Sequence, residues 1–145
     1  MTNNARAKAL AVAAHHPDAV VIGADTLVWL DNVPLGKPAD TGEARQMLQK
    51  LSGRVHEVAT GVHMIRASTR TRIEFHEITH VRFRELREED ITNYLRSVPV
   101  LDKAGAYALQ ECGEILIEAI EGCRSNVVGL PVERTVGALR RHFGW

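Results

Sequence analysis

Apolar and polar positions alternate along residues 71–84. Ile73, Phe75, Thr79, Val81 and Phe83 fall on one side, and Arg72, His76, His80, Arg82 and Arg84 on the other. That period of two predicts a strand with one buried face, on which Glu77 is the single polar intruder. The stretch before it, "RVHEVATGVHMIRA", predicts a long strand to pair with it, and "AVVIGADTLVWL", apolar and rich in β-branched residues, predicts a buried strand. Asp31-Asn32 predicts a tight turn, after which "VPLGKP" brings the chain back. Helical spacing is clearest in "DTGEARQMLQKLSG": Ala44, Met47, Leu48 and Leu51 form one stripe, Asp40 and Glu43 have capping-box spacing, and Gly53 is placed to end the helix.

Three further helices are expected. "NNARAKALAVAAHH" consists of strong helix formers and is stopped by Pro17 and Asp18. "REEDITNYLRSV" turns Ile91, Tyr94 and Leu95 inward. The last helix has Pro131 near its first position and Val132, Val136, Leu139 and Phe143 on one side. "DKAGAYALQ" predicts a glycine-containing loop or short strand, "EILIEAIEG" another strand, and "SNVVGL" a loop. The expected architecture is a single α/β domain over residues 1–145, a mixed sheet flanked by helices.

Conformation bears on one motif at once. Residues 76–80, "HEITH", match the H-E-x-x-H pattern of zinc hydrolases, which brings two histidines to one metal only on a helix. On the predicted strand His76 and His80 are about 13 Å apart, on a polar face. The pattern is a coincidence of spelling.

Composition narrows the classes. The 145 residues carry 18 Lys and Arg against 18 Asp and Glu, so no broad field draws in polymeric nucleic acid or an anionic membrane. Two cysteines, Cys112 and Cys123, without C-x-x-C spacing suit a reducing cytoplasm better than a disulfide framework. No apolar run reaches the length of a membrane span, and no signal peptide is visible.

Candidate chemistry centres on Asp25. It closes the run Val20-Val21-Ile22-Gly23-Ala24, where an α/β sheet presents side chains to a ligand crevice. A carboxylate there can bind a hard cation or take a proton from water; a turn-initiating aspartate is the plainer reading. Lys37, between Gly36 and Pro38, reaches the same crevice if the hairpin folds back, and is otherwise a solvated lysine. Lys8 and Lys103 carry the same two readings. The chain has no G-x-x-x-x-G-K-[ST] loop, no G-x-G-x-x-G and no G-x-S-x-G elbow.

Four segments in order, "VVIGADTLVWLDNVPLGKP", "EARQMLQKLSGRVHEVATGV", "DKAGAYALQ" and "SNVVGLPVERTVGAL", closely resemble the Maf-like nucleoside triphosphate pyrophosphatases from about Asn4 onward. The resemblance implies an elongated mixed sheet of the inosine triphosphatase type, flanked by helices, with the ligand in a cleft. It also implies a cytoplasmic homodimer that uses a divalent metal, Mg²⁺ or Mn²⁺, to split a nucleoside triphosphate into monophosphate and pyrophosphate. By the same resemblance Asp25 of "GADT" is the catalytic carboxylate and metal contact, Lys37 of "GKP" and Lys8 face phosphates, Lys103 is a further candidate, and Thr26 and Gln110 bear on substrate choice. The form "GAYALQ" resembles the branch acting on dTTP and UTP. The family pattern opens with a strand and a Ser-x-Ser-Pro-Arg-Arg loop that have no counterpart here, so the fold is expected with its first strand missing and an open sheet edge. The lack of that arginine pair makes a nucleotide-binding or interaction module with little turnover the alternative expectation.

Overall fold

In a computed structural model that describes residues 2–145, ten regular elements follow the chain. They are α1 (Thr2–Ala13), β1 (Val21–Leu30), β2 (Val33–Leu35), α2 (Thr41–Leu51), β3 (Val55–Arg66), β4 (Thr71–Phe83), α3 (Glu88–Ser97), β5 (Ile117–Glu121), α4 (Arg124–Val128) and α5 (Val132–Phe143). The five strands form one sheet in the order β2-β1-β3-β4-β5. The long sheet with flanking helices is as expected, but its pairings are antiparallel throughout rather than mixed. The reason lies in the connections. Hairpins join β1 to β2 and β3 to β4 and reverse the chain, while α2 carries it from β2 to the other side of β1, where β3 runs in the direction of β2 and therefore antiparallel to β1.

The β1–β2 turn follows from its two residues. Asp31 and Asn32 both have positive φ, as a two-residue hairpin of the mirror-image type requires, and Leu30 pairs directly with Val33. β2 pairs only with Val28–Leu30, so from Val21 to Leu27 the outer edge of β1 has no strand beside it among the described residues. β4 keeps its period of two from end to end: Arg72, His76, His80 and Arg82 are exposed, and Thr79, Val81 and Phe83 are buried. His76 and His80 therefore stand apart along a strand, in the conformation expected.

The main core packs α2 and α3 on one face of the sheet, with Leu48, Leu51, Ile91, Tyr94, Val58, Val81 and Phe83 fully or almost fully buried. Asp40 caps α2 as its spacing predicts, its side chain accepting from the Glu43 N–H at 2.8 Å, while Glu43 reaches back to the Ala39 N–H. Beyond α2, the same face is covered by α4 and α5, where Phe143 packs with Val62 and Met64. The inward side of α5 keeps most of its predicted stripe, with Phe143 buried and Val136 and Leu139 half-buried, but Val132 is exposed and Thr135 and Ala138 turn inward beside them. Pro131 is the cap residue before α5, and the short helix α4 replaces the expected loop.

On the opposite face α1 lies across β1 and β3. Its buried residues Ala5, Ala9 and Ala13 recur every four positions, a narrow stripe of small side chains that lets the helix axis come close. The approach also requires Gly23. A Cβ there would collide with the Ala5 carbonyl oxygen and sit 2.9 Å from the Ala9 nitrogen.

Candidate active site

A cavity of about 350 Å³ opens at the unpaired part of the β1 edge and reaches around it to both faces of the sheet. Lys8, Asp25, Thr26, Lys37, Lys103 and Gln110, all six residues singled out in the sequence, line it. They come from five segments separated in sequence: α1, the middle of β1, the loop after β2, the turn before Tyr107 and the loop after it.

Successive residues of β1 point to opposite faces, so Asp25 and Thr26 enter the cavity from different sides. Asp25 lies on the α1 side, with its side chain 16% exposed. Lys8 donates to one carboxylate oxygen at 3.3 Å and to the Ala24 carbonyl at 3.1 Å, and Asn4 donates to the other carboxylate oxygen at 3.3 Å. Two side chains one helical turn apart on α1 thus hold the carboxylate between them. The closeness of α1 to Gly23 is what brings them within reach.

Thr26 lies on the other face, across from Thr60 on β3, with their hydroxyls 2.8 Å apart. Thr26 also lies 3.4 Å from the Gly129 carbonyl, and Thr60 the same distance from the Asn126 carbonyl. Asn126 is fully buried and fastens this corner: its amide donates to the carbonyls of Val58 and Glu77 and to the Thr79 hydroxyl. The loop read in "SNVVGL" is therefore a short helix and turn tied to the sheet, with Val127, Val128 and Gly129 forming a wall of the cavity.

The lysines differ in their partners. Lys37 is exposed and makes no ion pair among the described residues. Its loop is fixed by the Gly36 carbonyl, which accepts from the Gly105 N–H at 3.1 Å. Gly105 has φ of 72° and packs against Val28, a position unsuited to a side chain on both counts. Lys103 is 16% exposed and sits between two carboxylates, 3.1 Å from Asp102 and 3.5 Å from Glu111. Its hydrogen bond with Asp102 raises the ammonium above its usual range and holds the Asp102 carboxyl below its own, with Lys37 adding a smaller pull. Asp102 and Glu111 were not singled out from the sequence. They were legible only as neighbours of Lys103 and of Gln110.

Behind this wall a buried aromatic cluster holds Tyr107. Its hydroxyl shares a 2.7 Å hydrogen bond with Nε2 of His56, and its ring meets Phe83 edge-on at 4.8 Å. Burial pulls His56 down to about 4 and pushes the Tyr107 hydroxyl up, so both are neutral near pH 7. Sequence reading passed over His56. The signal available was its position two residues before Val58, on the core-facing side of β3.

Three lysines and three carboxylates line the cavity, so its formal charge is balanced. A triphosphate carries several negative charges, and a balanced cavity accepts it best when positive charge arrives with it. Among the described residues no three His, Cys, Asp or Glu side chains form a cage for a metal. Asp25 nonetheless fits a hard cation of the Mg²⁺ type, which is commonly held by one or two carboxylates together with substrate phosphates. Among the described residues no helix is long and apolar enough to cross a membrane.

The fold and site define an α/β domain with an edge-of-sheet cavity that combines one tethered carboxylate, three lysines and two amide or hydroxyl groups. A family model described as "Maf-like protein" matches residues 1–142. The chain belongs to that family. Among its relatives is a dTTP/UTP pyrophosphatase of Akkermansia muciniphila, 53% identical over 137 residues, a match covering 94% of this chain and 71% of the relative. Proteins of the same name from Clostridioides difficile and Desulforamulus reducens are each 46% identical over 136 residues, covering 94% of this chain and 70% and 71% of their own lengths.

Proposed function

We propose that this chain is a nucleoside triphosphate pyrophosphatase that hydrolyses dTTP and UTP to the monophosphate and pyrophosphate. The observation that carries this reading is the convergence of Asp25, Lys8, Lys37, Lys103, Thr26 and Gln110 on one cavity. The relatives' shared name, at 46–53% identity over nearly the whole chain, supplies the substrate class.

In the proposed reaction a water attacks the α-phosphorus, the bond to the bridging oxygen breaks, and pyrophosphate leaves. Asp25 takes the proton from that water, and the Lys8 and Asn4 contacts aim its carboxylate. Lys37, without an ion pair among the described residues, meets phosphate oxygens as they gain charge. Lys103 serves the same end once the nucleotide competes with Asp102 and Glu111 for its ammonium. A divalent cation, Mg²⁺ or Mn²⁺, held by Asp25 and by substrate oxygens, would supply the positive charge that the balanced cavity lacks. Thr26 and Gln110 provide the donors and acceptors to read a pyrimidine edge, Gln110 carrying both kinds on one amide. Gln110 is exposed and makes no side-chain hydrogen bond among the described residues, which leaves that amide available. A homodimer in the cytoplasm completes the proposal, on the strength of family membership alone.

The test is release of pyrophosphate from dTTP and UTP with Mg²⁺ or Mn²⁺, compared with dATP and dGTP. Turnover of the pyrimidine nucleotides that disappears in Asp25→Asn supports the reading. Saturable binding without any pyrophosphate release assigns the chain to the nucleotide-binding module instead. Sedimentation velocity reads the dimer separately.

A further inference from the structure

The loop that carries Gln110 has a second layer of support that the proposed chemistry does not use. Tyr94, on α3, is fully buried, yet its hydroxyl meets the backbone of Ala108 twice. It accepts from the Ala108 N–H at 3.1 Å and lies 3.4 Å from the Ala108 carbonyl as donor. The same carbonyl accepts from the Glu111 N–H at 3.2 Å, closing a tight turn over Ala108–Glu111. One residue earlier, Tyr107 is pinned to His56 on β3. Two neighbouring residues, Tyr107 through its side chain and Ala108 through its backbone, are thus fixed from two different elements, and the turn they set presents Gln110 to the cavity.

We propose that Tyr94 and His56 are positioning residues for nucleotide selection, holding the Tyr107–Glu111 loop so that the Gln110 amide is presented to the base at a fixed angle. This inference rests on the reading of the cavity as a nucleotide site. The physical case is that a single amide discriminates only if its donor and acceptor arrive in a fixed orientation, and Gln110 makes no side-chain hydrogen bond among the described residues to fix it. A phenol that bonds both the N–H and the C=O of one residue restrains the two peptides on either side of that residue. The buried His56–Tyr107 pair is neutral near pH 7, so it adds the hold without bringing a charge to the cavity wall.

The experiment is steady-state hydrolysis of dTTP, UTP and dATP by the wild-type chain and by Tyr94→Phe, which keeps the ring and removes only the hydroxyl. The expected result is a rise of about tenfold in KM for dTTP and UTP with kcat nearly kept, so that preference over dATP falls by a similar factor. A role in folding alone would lower the melting temperature and depress turnover of every nucleotide alike. An unchanged preference ratio overturns the proposal. Tyr107→Phe removes the second anchor and is expected to shift the ratio in the same direction, which keeps the question answerable if Tyr94→Phe does not fold. Calorimetry with a non-hydrolysable dUTP analogue and its dATP counterpart separates the two levels. If the wild-type chain binds the analogue but releases no pyrophosphate from dTTP or UTP, the enzyme reading fails, while the ratio of the two dissociation constants in the variants still decides the positioning claim.

Discussion

Asp25 is held by contacts on both carboxylate oxygens, and the two partners have different consequences. Lys8 brings positive charge and Asn4 only direction. Asp25→Asn retains the shape and the Asn4 neighbourhood but cannot take a proton. The expected outcome is a fall in kcat of roughly 10²–10⁴ with nucleotide affinity changed far less, read by pyrophosphate release beside calorimetry. His56 gives a prediction in pH. Burial lowers its folded value to about 4 against 6.5 for the free group, so between these values the unfolded chain binds a proton that the native chain refuses. The stability contributed by neutral His56 is complete above pH 6.5 and is lost as pH falls toward 4, a change of order 3 kcal/mol. Urea unfolding of wild type and His56→Gln at pH 7 and pH 4.5 checks it. The variant should lose less stability over that interval.

At the level of elements, α1 transmits the fit of a glycine to the site. The helix lies on β1 because Ala5, Ala9 and Ala13 are small and Gly23 has no side chain. Gly23→Ala should therefore destabilise the fold by about 1–3 kcal/mol through overpacking. It should also lower kcat, because lifting α1 withdraws Lys8 and Asn4 from Asp25; thermal melting and pyrophosphate release measure the two effects on one sample. Asp40→Ala serves as a contrast. The lost cap costs about 1 kcal/mol, and activity per folded molecule stays at the wild-type level. Elements with a strong period were readable in advance: α2 with its cap, and β4 with its alternation over thirteen residues. The rotation of α5 was readable only in part. Thr135 turns inward there, its hydroxyl bonded to the Pro131 carbonyl at 2.8 Å, and a polar residue satisfied by its own helix is invisible to a hydrophobic stripe.

For the whole molecule, the balance of charge in the cavity is the property with functional weight. Lys103 is shared between Asp102 and Glu111, so the free positive charge facing a nucleotide is smaller than three lysines suggest. Removing divalent metal with a chelator should abolish turnover and weaken triphosphate binding, and readdition of Mg²⁺ or Mn²⁺ should restore both. Unchanged triphosphate affinity in the chelated sample, measured by calorimetry, would contradict the electrostatic argument. Glu111→Gln should loosen Lys103 and tighten metal-free binding of triphosphate by a few fold, in the direction set by the loss of one negative charge.

What the amino-acid sequence settled alone was local: strand against helix, the Asp31-Asn32 turn, the α2 cap, and the kinds of side chain able to meet a triphosphate. Those follow from periodicity and from chemistry that each residue carries with it. Which carboxylates neutralise Lys103, which hydroxyl holds Ala108, and that Asp25 and Thr26 reach one cavity from opposite faces were decided by the tertiary structure. The physical reason is that these relations join segments up to about a hundred residues apart, as between Thr26 and Gly129, and no local period encodes a contact that depends on how the sheet edge, α1 and two loops close around the same space.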